Sequence, residues 1–295
     1  MATATQRRYL TEEQVAAYHR DGYLAVPDLI DAGRVAELRA VTEEFLARSR
    51  SVSRSDRVFD LDPRHTAERP VLRRIKNPAD NHPLYRWVAL ESPIPAIVAE
   101  LIGPDVKLHH SKLNLKGEKV GAPVEWHQDG AFYPHTNDDV LAVGLLLDDA
   151  TPENGCLAVL PGSHRGPVYD HYEGDRFTGG INAEDLRRLD LTRAQLLPLP
   201  AGSIHIHHYR AVHGSAENTS DAPRRLLINS YSAADAIPLT PDTQHSPLYG
   251  RIVCGAPARV FRRTGGGWRM PPSFEGGYTS IYELQTQAGG SSMGM

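Results

Sequence analysis

Beyond Gly103 the chain breaks into short apolar runs, each stopped by a turn signal, and this spacing constrains its fold more than any other feature. Val106 to Leu115 alternates in part between apolar and polar residues. Val140 to Leu147 (VLAVGLLL) is almost continuously apolar, as a strand buried on both faces must be. Asn154-Gly155 marks a turn before Cys156 to Leu160 (CLAVL), and Pro161-Gly162-Ser163 stops that run. Ala201-Gly202-Ser203 precedes Ile204 to His208, and Arg225 to Ser232 (RLLINSYS) is a further strand. Many short strands between turns indicate a sandwich or barrel. One charged stretch, Ala183 to Leu196, reads as a helical insertion in this series.

The N-terminal third has a helical period instead. Thr11 and Gln14 form a capping box that opens a helix over Glu12 to Asp21, and Gly22 ends it. Tyr23 to Val26 is a strand. Asp31 caps a second helix, whose Val35, Leu38, Val41 and Phe45 recur at steps of three and four. A third is expected over Tyr85 to Leu101, interrupted by Pro93 and Pro95 and ended by Gly103. Ser49 to Pro70 is polar and reads as a mobile loop. The expected fold is mainly β, a double-stranded β-helix (jelly roll, cupin-like) with N-terminal helices packed on it. It is expected as one domain: helices over about 1–103, core over about 104–265, and a C-terminal extension over about 266–295.

Composition excludes several classes. A formal net charge of -4 gives no basic surface for nucleic acid. The two cysteines, Cys156 and Cys254, lie outside any CxxC pattern, so neither a disulfide framework nor a zinc knot is indicated. The N-terminus lacks the apolar run of a signal peptide, and no stretch approaches a membrane span. The expectation is a cytoplasmic protein with a small-molecule substrate and neither nucleic acid nor membrane as partner.

The chemistry-bearing residues fall in three places. In Glu125-Trp126-His127-Gln128-Asp129, residues two apart on a strand share a side, so His127 and Asp129 can reach one ion. His213 follows at the end of a predicted strand. Two neutral imidazoles and one carboxylate on one face of a metal leave three positions open, the facial triad of iron(II) oxygenases. Arg224 and Arg225 come next; a planar guanidinium grips a carboxylate bidentately. Among 14 histidines, an HxD pair and a later His also arise by chance, and on spacing alone the metal reading and a purely structural one stand level.

Four motifs carry a resemblance. Tyr9-Leu10-Thr11-Glu12-Glu13-Gln14 with His19-Arg20-Asp21-Gly22-Tyr23-Leu24 is similar to the opening of the phytanoyl-CoA dioxygenase family. Trp126-His127-Gln128-Asp129-Gly130, the run Asn154 to His164 (NGCLAVLPGSH), and His213-Gly214-Ser215 with Asn218 and Arg224 resemble it in the same order. The resemblance covers Tyr9 to Ser232. It implies iron(II), with 2-oxoglutarate and O2 as cosubstrates, at the mouth of a jelly roll. It implies His127, Asp129 and His213 as iron ligands, and Arg224 as partner of the 2-oxoglutarate C5 carboxylate, with Arg225 as second choice. Ser215 and Asn114 are implied as further cosubstrate contacts. The implied reaction is hydroxylation of a C–H bond with release of succinate and CO2. Related halogenases lack the carboxylate that Asp129 supplies, so halogenation is disfavoured. Desaturation, cyclisation or epoxidation shares the cofactor chemistry. A non-catalytic jelly-roll binding module and a zinc hydrolase or isomerase are the readings from other classes. The resemblance admits acyl-CoA thioesters, amino-acid derivatives, phosphonates and secondary metabolites as substrates, in biosynthesis or catabolism.

Several other residues are read more plainly. His205, His207 and His208 are taken as alternating on one strand rather than as a second metal site, and His109 and His110 as polar barrel residues. His164 is a structural hydrogen-bonding residue. Tyr133 packs beside the cosubstrate or is a core aromatic. Arg73, Arg74 and Lys76 form a solvated face, with anion binding by one of them as the alternative. Ser49 to Pro70 and Gly166 to Leu197 are expected as substrate lids.

Overall fold

The computed structural model describes residues 8–119, 121–241, 245–264 and 280–287. It opens with α1 (Glu12–Asp21), β1 (Tyr23–Val26) and α2 (Ala32–Ser49). Thr11 Oγ1 accepts from the Gln14 amide at 3.1 Å, and Gln14 Oε1 accepts from the Thr11 amide at 2.8 Å. Asp31 Oδ1 accepts from the Arg34 amide at 2.9 Å. β2 (Phe59–Leu61) and β3 (Leu72–Lys76) follow, then α3 (Pro78–Asn81), α4 (Pro83–Leu90) and α5 (Pro93–Ile102). The single helix expected over Tyr85 to Leu101 is therefore two. Ser92 Oγ accepts the Ile94 amide, and Pro93 sits in the first turn of α5, where its missing N–H costs nothing. Pro93 begins a helix and does not interrupt one.

The strands after this are β4 (Val106–Lys116), β5 (Val124–His127), β6 (Val140–Leu146), β7 (Leu157–Val159), β8 (Tyr172–Glu173) and β9 (Arg176–Phe177). After α6 (Ala183–Leu186) come β10 (Gln195–Leu197), β11 (Ile204–His208), β12 (His213–Ser215), β13 (Arg224–Ala233), β14 (Ile252–Cys254) and α7 (Ile281–Gln287). The helix expected over Ala183 to Leu196 shrinks to α6, a 3-10 turn over Leu191–Arg193, and a strand. Asp190, accepting from Thr192, ends the helical run with a local turn.

A large antiparallel sheet runs β1-β11-β6-β13-β4-β3-β2, with β14 also paired to β4. A small sheet runs β10-β7-β12-β5, and β8 and β9 form a separate hairpin. The fold is the expected mainly β, double-stranded β-helix type. Alternation gives the large sheet two different faces. Ile75, Leu113, Leu145, Ile206 and Leu227 point outward and pack with Leu38 and Phe45 of α2, Tyr85 of α4, and Ile94 and Ile97 of α5. Each such side chain contributes roughly 1.5–3 kcal/mol on full burial. Their neighbours Arg74, Lys76, Lys112, Asn114, His205, Leu226 and Ile228 point inward and line a cleft. Ser49 to Pro70 is more ordered than its composition implied. It contains β2, whose Phe59 and Asp60 are buried against β3. Both cysteines are free. Among the described residues no helix is long and apolar enough to cross a membrane.

Candidate metal centre and active site

The small sheet sets the geometry of the triad. His127 ends β5 and His213 opens β12, and the two residues face each other in register. Asp129 lies just past β5 in a 3-10 turn over Asp129–Ala131. One ligand atom from each of the three lies within 4.8 Å of the other two, and all three residues are buried. His127 Nε2 is 3.7 Å from Asp129 Oδ1. His213 thus begins a strand where the sequence had it ending one.

Local contacts fix how the imidazoles present themselves. Nδ1 of His127 lies 2.8 Å from the Glu125 carbonyl, and Nδ1 of His213 lies 2.9 Å from the Ala211 carbonyl. A carbonyl only accepts, so Nδ1 carries the proton in both rings and Nε2 offers its lone pair to the gap. Burial lowers the His127 pKa to about 4 and that of His213 well below the usual imidazole value, so both stay neutral. Burial pushes the Asp129 carboxyl up. The hydrogen bond from His207 and the Lys112 ammonium outweigh it, and the group is held well below the usual carboxylate range. Two neutral nitrogen donors and one carboxylate, aimed at one gap, fit a divalent iron with open positions.

His207 is the residue the sequence reading undervalued. Its Nε2 donates to Asp129 Oδ2 at 3.3 Å, and its ring centre is 4.1 Å from that of His213. Alternation does put His205 and His207 on the inner face and turn His208 outward toward Tyr18 and His164. The HxH spacing was the available signal. His164, as expected, is structural: its Nε2 meets the His19 carbonyl.

The triad opens into a cleft of about 1200 Å³, counting its mouth. Arg224, Ser215 and Asn114 all line it. Arg224 is buried, and one terminal nitrogen donates to the Gly155 carbonyl at 2.9 Å; its Nε has no partner among the described residues. The Asn154-Gly155 turn makes this contact possible. Gly155 has φ 77°, and a Cβ there would stand 2.2 Å from the Ala216 carbonyl oxygen. Asn114 Oδ1 accepts from Arg74 Nε at 3.2 Å.

Arg225 must be corrected. It faces the helices, where its guanidinium bonds Asp148 at 2.7 and 2.8 Å and Glu43 at 2.6 Å, and it does not line the cleft. Adjacent residues on β13 point to opposite faces, so only one of the two arginines can serve the cleft. Arg73 likewise turns away toward Asp62, while Arg74 and Lys76 line the cleft and are no solvated face. A register shift opposite Ser230 and Tyr231 leaves His109 unpaired with β13, so both His109 and His110 line the cleft, their Nδ1 atoms 2.7 Å apart. Tyr133 lines it too, its ring 4.7 Å from that of His109.

The expected lids are also corrected. Neither Ser49 to Pro70 nor Gly166 to Leu197 lines the cleft. The start of the insertion is pinned to the HQD motif. Gln128 donates to the Pro167 carbonyl and accepts from the Tyr169 amide, and Ile181 donates to the Trp126 carbonyl. The lining outside the two sheets includes Thr240, Pro241, Tyr249, Ile281 and Tyr282 instead, residues of a C-terminal stretch that carries no motif.

The family model for phytanoyl-CoA dioxygenase matches residues 18–226, the span that holds the triad, the Asn-Gly turn and Arg224. The chain belongs to the phytanoyl-CoA dioxygenase family. It is 36% identical over 230 residues, 77% of this chain and 80% of the relative, to a Stutzerimonas stutzeri protein named "probable alpha-ketoglutarate-dependent hypophosphite dioxygenase". It is 28% identical to the L-proline trans-4-hydroxylase of Streptomyces griseoviridis, over 76% of this chain and 87% of that one. The solved structure of EctD from S. alaskensis with 2-oxoglutarate and 5-hydroxyectoine matches with TM-score 0.65 and 25% identity, covering 87% of this chain and 88% of that one. The carbocyclase SnoK of nogalamycin biosynthesis matches with TM-score 0.63 and 26% identity, over 77% and 85%. As a family member the chain is an iron(II)- and 2-oxoglutarate-dependent dioxygenase that uses O2.

Proposed function

We propose that His127, Asp129 and His213 hold the iron(II), that Arg224 receives the far carboxylate of 2-oxoglutarate, and that the enzyme oxidises an X–H bond of a small molecule. The observation that carries this is the pair of locked Nδ1 atoms beside Asp129, facing the same cleft as the buried Arg224. When bound, iron and 2-oxoglutarate supply the oxidant: O2 and the keto acid give succinate and CO2, and one oxygen atom goes to the substrate as X–OH.

The chain's own residues bind, orient and shield. The Glu125 and Ala211 carbonyls hold the two rings in the ligating tautomer. His207 holds the Asp129 carboxylate. Arg224 offers a buried planar donor set, and its Nε supports that role because it has no protein acceptor among the described residues. Ser215 of the small sheet and Asn114 of the large sheet, both lining the cleft, assist the cosubstrate. Ile281 and Tyr282 cover the cleft and limit water. Hydroxylation at carbon is the first reading. Oxygen transfer to phosphorus, which the name of the Stutzerimonas relative brings in, is a second, favoured by the four cations lining the cleft.

The test is iron loading and succinate release in His127→Ala and His213→Ala. Both variants are expected to lose iron binding and to fall to background turnover. Wild-type iron affinity and turnover in either would remove that residue from the metal centre.

A further inference from the structure

The cleft carries more positive charge than its cofactors use. Arg74, Lys76, Lys112 and Arg224 line it, against the single carboxylate of Asp129. Asp60 is buried opposite Arg74 in register, forms no ion pair among the described residues, and acts on Lys76 through space; Arg74 itself is tied to Asn114 through its Nε. With the cofactors bound, Asp129 and one carboxylate of 2-oxoglutarate would balance the metal's charge, and the other carboxylate would meet Arg224. Lys76 and Lys112 are left. Lys76 donates to the Asp56 carbonyl at 2.9 Å and feels Asp60, Asp56 and Glu283 only at longer range. Lys112 makes no hydrogen bond or ion pair among the described residues; Asp129 and Arg74 are the charges it feels. An ammonium in a partly desolvated cleft is unfavourable without an anion beside it.

Its position points toward the reaction centre. Lys112 pairs with Ile228 on one side and with Lys76 on the other, and Ile228 pairs with Gly144, which pairs with His205. These residues form one rung across the inner face of the large sheet. His207, two residues along from His205, donates to Asp129. Arg224 is four residues along β13 from Ile228, roughly 13 Å at about 3.3 Å per residue. On the inner face Lys112 thus lies four residues from the level of Arg224 and two from the rung of His207, Ala142, Ser230 and His110, nearer the triad than the Arg224 end. In the same rung His205 is buried over Gly144, and neither of its ring nitrogens has a partner among the described residues. One of them is an N–H free to donate to an oxyanion.

We propose that the substrate is a small oxyanion, a carboxylate or a phosphorus oxyanion, held by Lys112 with Lys76 toward the mouth and oriented by His205. This rests on the oxygenase reading for its placement, but its test does not depend on turnover alone. The chain loaded with iron(II) and 2-oxoglutarate is titrated anaerobically by calorimetry with phosphite, methylphosphonate, propionate and, as the neutral match, propionamide, at low and high salt. Succinate release is then measured in air with each. An oxyanion is expected to bind, more weakly at high salt, and to accelerate succinate release, while propionamide does neither. Binding by the phosphorus anions alone, or by propionate alone, assigns the source of the oxyanion. Lys112→Met is expected to weaken that binding at least about 30-fold, the lower end for a truncated charged contact, and Lys112→Arg to recover most of it. The proposal is overturned if propionamide matches propionate, if no anion binds at tens of millimolar, or if Lys112→Met spares anion affinity and instead raises KM for 2-oxoglutarate as Arg224→Ala does. Should Lys112→Met fail to fold, the amide–carboxylate comparison and Lys112→Arg still decide. Anion binding without any 2-oxoglutarate consumption defeats the oxygenase reading and leaves the anion site standing. Succinate release stimulated only by neutral compounds does the reverse.

Discussion

The two sheets that face each other across the cleft are built on different principles. The small sheet presents His127 and His213, kept neutral by burial and each tied through Nδ1 to the carbonyl of the residue two before it. His135 and His171 make the same contact, to the Tyr133 and Tyr169 carbonyls. The two imidazoles of this wall are set by short-range bonds, while its carboxylate is held by His207 from β11 of the large sheet. The large sheet presents Arg74, Lys76, Lys112 and Arg224 from three different strands, with no carboxylate between them on the lining. Among the described lining residues Asp129, on the opposite side, is the carboxylate that faces these cations. On the proposal above, the metal wall is preorganised and the cation wall is where ligand identity is read.

This contrast is sharpest at Arg224 and Arg225. Arg224→Ala is expected to raise KM for 2-oxoglutarate about 30-fold to several thousand-fold, the range for losing one buried charged contact of roughly 2–5 kcal/mol. Arg225→Ala is expected to leave that KM nearly unchanged and to lower Tm, because Asp148 loses the closer of its two ionic partners and keeps only Arg39 at 3.3 Å. Steady-state kinetics and thermal unfolding of the pair check this. The opposite ordering would place the wrong face of β13 in the cleft.

A smaller effect tests the metal wall. His207→Phe keeps the ring volume and removes the donor to Asp129. Iron affinity is expected to fall about 10- to 100-fold, as for other groups that orient a metal ligand. Direct iron titration reads this, with KM for 2-oxoglutarate as the control that a merely structural change would also move. An unchanged iron affinity would mean that Asp129 is held without His207.

How far the sequence revealed these walls differs between them. The metal wall was legible because its determinants are local: the HxD spacing, the turn after β5, and a strand that starts at His213. The Asn154-Gly155 turn was legible for the same reason, although its contact with Arg224 was not. The cation wall was half-legible. Period-two alternation told that one of Arg224 and Arg225 faces inward, but the choice depends on long-range pairing with β4 and β6. Arg74 and Lys76 looked like a solvated face, since no local signal says that β3 joins the sheet edge. The insertion and the Ser49 to Pro70 loop looked like lids by length and polarity. Gln128 and the pairing of β2 with β3 anchor them through contacts distant in sequence. The C-terminal segment carried no signal at all; α7 reaches the cleft only through tertiary contacts.

That last segment yields the smallest predicted effect. Gln285 of α7 is buried; its Oε1 accepts from the Glu125 amide at 2.9 Å and its Nε2 donates to the Gly179 carbonyl at 3.0 Å. One side chain thus joins the strand that ends in His127 to the insertion, and it holds Ile281 and Tyr282 over the cleft. Gln285→Ala removes both of these buried hydrogen bonds, a cost of about 1–3 kcal/mol. The free energy falls on the docking of α7 and not on the triad, whose imidazoles are held by local carbonyls and whose carboxylate is held by His207. With no more than about half of that cost reaching the cleft, KM for 2-oxoglutarate is expected to rise by less than about 10-fold, since 1.4 kcal/mol corresponds to one decade. Iron affinity should hold, and the Glu125 amide should exchange its hydrogen faster. Loss of iron affinity in Gln285→Ala would show that the metal wall depends on the C-terminal segment, and the division between a self-sufficient wall and a ligand-completed one would fail.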